Sequence, residues 1–139
     1  MYLYEVKVSY ERRTGEDNPA IVKEVYLIES TSPSEAENKL HEEIKPFIWG
    51  DYCEVLSIKK RSIFEITPHE NDREDEMWYE AKVEMITIDG DQETRKAVTI
   101  LVEHRDFDYA LQLLHSTLGS YDCEVVGLKK SPIVEVLRA

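Results

Sequence analysis

The chain has 139 residues, 42% hydrophobic and 33% charged, with 29 acidic residues against 17 Lys and Arg and a formal charge of −12. The length suits one ordinary globular domain, and the charge opposes non-specific binding to nucleic acid or an anionic membrane, which depends on releasing counterions from basic patches. No run approaches the roughly 18 to 20 apolar residues of a membrane-spanning helix. The start, Met1-Tyr2-Leu3-Tyr4-Glu5, lacks the basic region and apolar core of a signal peptide, so a cytoplasmic location and two reduced thiols, Cys53 and Cys123, are expected.

Tyr2, Tyr4, Val6, Val8 and Tyr10 alternate with polar positions, the period of a strand with one buried face, which predicts a strand over about 2–11. Gly15, Asp17, Asn18 and Pro19 interrupt it with a polar loop, and β-branched and aromatic residues resume over 21–30 as the second arm of a long hairpin. A helix follows: Ser32 can cap it, Pro33 fits its first position and Glu35 completes a capping box. Its stripe, Ala36, Leu40 and Ile44, recurs at i, i+4 and should pack on the sheet. Pro46 stops the helix, Phe47-Ile48-Trp49 supplies an apolar plug, and Gly50-Asp51 turns into a strand over about 52–60. A short strand, 63–66, closes this part.

The same plan then returns. Tyr4-Glu5-Val6-Lys7-Val8 reappears as Tyr79-Glu80-Ala81-Lys82-Val83, Leu27-Ile28-Glu29 as Leu101-Val102-Glu103, and Cys53-Glu54-Val55 as Cys123-Glu124-Val125, with the order of elements kept and length changes confined to connections. Strands are predicted over about 78–88, 96–103, 121–130 and 133–137. Asp106 stands at the helix cap, Ala110, Leu114 and Leu118 form the stripe, and Gly119 ends the helix. The plug has no counterpart in this half.

These elements predict an α+β fold of two tandem β-β-α-β(-β) repeats with mainly antiparallel sheets, one helix per repeat and a pseudo-twofold relation. Residues 1–66 form the first repeat, 67–77 an acidic linker and 78–139 the second. A repeat of about 70 residues is a marginal folding unit, so the two are expected to pack as one globular unit. A right-handed crossover places strand one between strands two and three.

Several segments together, Tyr4-Glu5-Val6-Lys7-Val8, Tyr26-Leu27-Ile28, Ser34-Glu35-Ala36-Glu37, Lys45-Pro46-Phe47-Ile48 with Gly50, Trp78-Tyr79, Ile86-Thr87-Ile88-Asp89, Phe107 with Ala110-Leu111, and Ser131-Pro132-Ile133, resemble an uncharacterised bacterial domain-of-unknown-function family, catalogue number 4494. The resemblance spans nearly the whole chain. It implies no activity and brings no catalytic residues.

Chemistry therefore has to be sought residue by residue. Cys53 and Cys123 are matched, as are His41 and His115, and a metal site built from both pairs would be chemically sensible. Neither C-x-x-C nor H-x-x-x-H spacing supports it, and each thiol is followed by Glu54 or Glu124, the wrong setting for a nucleophile. His69 and His104 read as ordinary surface. There is no nucleophile elbow and no glycine-rich phosphate loop. No catalytic residue, cofactor or metal ligand is expected, and the chain is not expected to be an enzyme.

Twelve of the 17 basic residues fall on or beside strands, among them the matched Lys59-Lys60 and Lys129-Lys130, with Tyr26 and Trp78 as possible stacking rings. Pairing with Glu5, Glu80, Glu54 and Glu124 across strands is the simpler reading. The functional expectation is a non-catalytic interaction or scaffold module that binds a protein partner or its own copy through a sheet face or edge, with Phe47, Ile48, Trp49, Trp78, Lys59, Lys60, Lys129 and Lys130 as candidate surface. Two alternatives remain: a sheet-based binder of single-stranded nucleic acid, and, last, an enzyme with a duplicated Cys/His site.

Overall fold

Alternating burial along the first strand sets the plan of the molecule. In a computed structural model of the chain, Tyr4, Val6, Val8 and Tyr10 of β1 (Tyr2–Arg12) all point to one face, where they pack with Tyr26 and Ile28 of β2 (Ala20–Ser30) and the stripe Ala36, Leu40 and Ile44 of α1 (Pro33–Ile44). The structure describes residues 1–13, 18–69 and 76–139. The predicted hairpin loop falls partly outside them, since Gly15 and Asp17 are not described, and so do residues 70–75 of the predicted linker.

β1 lies between β2 and β3 (Ile48–Arg61), antiparallel to both, as the crossover rule requires. The second half repeats the arrangement: β5 (Met77–Asp89) lies between β6 (Gln92–His104) and β7 (Cys123–Lys130), with α2 (Phe107–Leu118) laying Ala110, Leu114 and Leu118 on the sheet. The fold is α+β, with two mainly antiparallel four-stranded sheets and two helices, consistent with two tandem β-β-α-β repeats.

Both helices start where the sequence predicts. Ser32 Oγ accepts the Glu35 amide at 3.1 Å, and Asp106 Oδ1 accepts the Tyr109 amide at 2.9 Å. The capping box is only half formed, because the Glu35 carboxylate takes the Thr31 hydroxyl and the Lys39 ammonium instead of reaching back to the cap. Gly119, at φ +46°, ends α2 in backbone that other residues avoid.

Two short strands depart from the predicted organisation. β4 (Glu65–Thr67) does not close the first repeat: it pairs in parallel with β6, giving the sheet order β4-β6-β5-β7. β8 (Ile133–Leu137) pairs in parallel with β2, giving β3-β1-β2-β8. The two units are thus residues 1–61 with 132–139, and residues 62–131, in place of 1–66 and 78–139.

Chain reach explains the exchange. β3 runs parallel to β2 and ends with Arg61 level with Glu29, near the C-terminal end of β2, while the strand added parallel to β2 starts with Ile133 opposite Val25. Three residues, 62–64, span at most about 11 Å, whereas the way back from Glu29 to Val25 is roughly 14 Å along the strand, with three strand spacings of about 4.8 Å each to cross as well.

Each third strand also carries a bulge at the same place. Lys7 faces Ser57 and Val8 faces Val55, so Leu56 is the extra residue, and Val126 is the extra residue between Gly127 and Val125 opposite Lys82 and Val83.

Candidate functional site

β3 is the outer strand of its sheet, 14 residues long, and its apolar side chains are unevenly disposed. α1 ends in a 3-10 turn at Lys45–Phe47, where Pro46 cannot continue the helix, and the Arg13 amide donates to the Phe47 carbonyl at 3.1 Å. Ile48 then turns inward onto the core. Phe47 and Trp49 turn outward, 44% and 41% exposed, so the predicted plug is only one residue deep. The Arg12 guanidinium lies 4.7 Å from the Phe47 ring centre, and that of Arg13 lies 4.5 Å from the Trp49 ring centre. Further along, Tyr52 and the bulged Leu56 are also exposed.

Beneath this end of the sheet sits a polar network. Glu24 Oε1 accepts the hydroxyls of Tyr10 at 2.6 Å and Tyr26 at 3.0 Å, while Oε2 pairs with Arg12 at 3.0 Å. Burial and the adjacent carboxylate push the Tyr10 phenol up to about 12, and the Tyr26 phenol is raised for the same reasons.

The basic residues of the sheets are largely tied to acids. Lys59 and Arg61 both reach Glu5, at 3.4 and 2.6 Å, and Lys129 reaches Glu80 at 3.9 Å, the corresponding cross-strand pair of the second unit. Arg95 contacts Glu84, Glu93 and Glu124. Lys60 lies over the Tyr2 ring, 3.5 Å from its centre, and Lys130 stands opposite Tyr79 in the ladder. Trp78 is 5% exposed and Tyr26 is buried, so neither offers the stacking ring expected of it.

The matched thiols are partly buried against the two cores. Cys53 shares a cavity of about 290 Å3 with Glu37, His41 and Asp51, between α1 and β3. Burial and Glu37 raise its thiol pKa, the reverse of nucleophile activation. His41 and His115 are exposed on their helices.

The structure instead joins two histidines that sequence reading left as surface. In the β4–β6 ladder Thr67 faces Val102, so His69 and His104, each two residues further on, come side by side. Glu76 immediately precedes Met77, the ladder partner of His104. One ligand atom from each of His69, Glu76 and His104 lies within 4.8 Å of the others. His69 Nδ1 is 2.5 Å from Glu76 Oε1, the two imidazole centres are 4.0 Å apart, and His104 stacks on Tyr109 at 5.1 Å. His104 Nδ1 accepts the Arg105 amide at 2.9 Å. Burial, then the neighbouring His69, lowers the His104 pKa. The signal that would have found this cluster is the parallel β4–β6 register, which no local periodicity carries.

With the geometry in hand, comparison with known proteins fixes the family. The model of the family described as Domain of unknown function (DUF4494) matches residues 2–139. The chain belongs to this family. A search of curated proteins returns no match. No helix among the described residues is long and apolar enough to cross a membrane.

Proposed function

We propose that the chain is a non-catalytic interaction module that binds an extended segment of a partner protein along the open edge of β3. The carrying observation is that this 14-residue outer strand and its lead-in expose Phe47, Trp49, Tyr52 and Leu56. An outer strand offers backbone donors and acceptors to an incoming strand, and alternate apolar side chains give that strand its specificity. The Arg13 guanidinium stacked on Trp49, with Lys60 toward the far end, favours a segment carrying acidic residues. A formal charge of −12 disfavours the alternative occupant, a second copy of the chain. Cys53 and Cys123 as free thiols fit a cytoplasmic setting.

The nucleic-acid alternative loses support because its expected stacking rings are buried and two of its four lysines, Lys59 and Lys129, face carboxylates. The deciding experiment compares capture from native lysate by the wild type and by Leu56→Lys, with and without nuclease, alongside solution mass. A protein retained by the wild type and lost by the variant supports the reading. Capture that depends on nucleic acid, a dimer broken by the variant, or identical capture by both chains would count against it.

A further inference from the structure

We propose that His69, Glu76 and His104 form a binding site for one divalent transition-metal ion of the zinc type. Two imidazoles and one carboxylate are a donor set that suits zinc, and three protein ligands leave one position for water. The ligand atoms already lie within 4.8 Å of one another. A tetrahedral ion with bonds of about 2.0 to 2.1 Å spaces its ligands roughly 3.4 Å apart, so the His69–Glu76 contact must open from 2.5 Å while the wider spacings close.

Independent support comes from Glu76. Its side chain is 3% exposed, and Oε2 is buried with no hydrogen-bond partner among the described residues. A carboxylate held out of water with an unused oxygen is costly unless a cation or donor meets it. In the ion-free chain His69 Nδ1 contacts Oε1 at 2.5 Å. The ion would enter between them, with His69 offering Nδ1 and carrying its proton on Nε2. His104 exchanges its contact with the Arg105 amide for the metal bond.

The first unit supplies an internal comparison. There Ile28 faces Leu137 in the β2–β8 ladder, and the residues two further on are Ser30 and Ala139, in the places of His104 and His69. The backbone corner is the same: the Ala139 amide donates to Glu29 Oε1 at 3.1 Å, as the His69 amide does to Glu103 Oε1 at 3.3 Å. The ligands, however, stand at one corner only. This corner can be built without them, so the histidines are additions to a scaffold that closes without metal.

The test is calorimetric titration of Zn2+ into the full chain, with excess Mg2+ to occupy weak acidic sites, in the wild type, Glu76→Gln and His104→Ala. One ion per chain is expected, with affinity at least about tenfold lower in each variant. Co2+ should give tetrahedral d–d absorption without a thiolate charge-transfer band. Absence of binding, equal binding in the variants, or a thiolate band would overturn the assignment. If Glu76→Gln loses the wild-type circular dichroism spectrum, His69→Ala, at a partly exposed side chain, decides on the same criteria.

Discussion

Glu24 shows how a single partly buried carboxylate organises one end of a sheet. It takes two phenol donors and one guanidinium, so without Glu24 the O–H of the fully buried Tyr10 loses its acceptor and keeps only the donor contact from Arg12. Glu24→Ala should therefore cost about 1 to 3 kcal/mol, the range for leaving a buried polar group unpaired, read as a lower urea midpoint. The same contact has an alkaline signature. Because the folded phenol of Tyr10 ionises near 12 and the unfolded one near 10, its contribution is complete below pH 10 and is lost as pH rises toward 12. Tyr10→Phe should flatten the fall in stability across that window. An unchanged slope would show that Tyr10 ionises no differently once unfolded.

Elements were legible where a local rule decides them. The cap residues Ser32 and Asp106, the stripes and Gly119 all act within a few positions of themselves, and the structure places them as read. Asp106→Ala should cost about 1 kcal/mol through loss of the Tyr109 amide contact, and Leu114→Ala about 2 to 5 kcal/mol through the cavity left in a fully buried site. Thermal unfolding of the two variants gives the comparison. What the sequence could not carry was set by distant partners. Ile48 turns inward where it stands opposite Arg12 in the β1–β3 ladder, and the meeting of His69 with His104 depends on a ladder formed by residues far apart in the chain. Alternation says which face a strand buries, but not which strand lies beside it.

At the scale of the whole molecule, the exchange of β4 and β8 makes the order of the chain differ from the order of its folding units. Residues 62–131 contain all four strands of one sheet and its helix, whereas residues 78–139, the boundary that the repeat suggests, lack β4 and carry β8 without its partner β2. This yields a test with a clear sign. Fragment 62–131 should unfold cooperatively in urea, because its helix-covered core of Tyr79, Ala81, Val83, Ile100, Val102 and Leu114 lies wholly inside it and β6 keeps its parallel neighbour. Fragment 78–139 exposes the β6 edge and adds an apolar tail with Ile133 and Val136 unpaired, conditions that favour edge-to-edge association. It should show a lower midpoint or aggregate in sedimentation. Equal stability of the two fragments would mean that β4 contributes nothing to its sheet, and that the short parallel ladder is an accessory to a unit already complete with three strands and a helix.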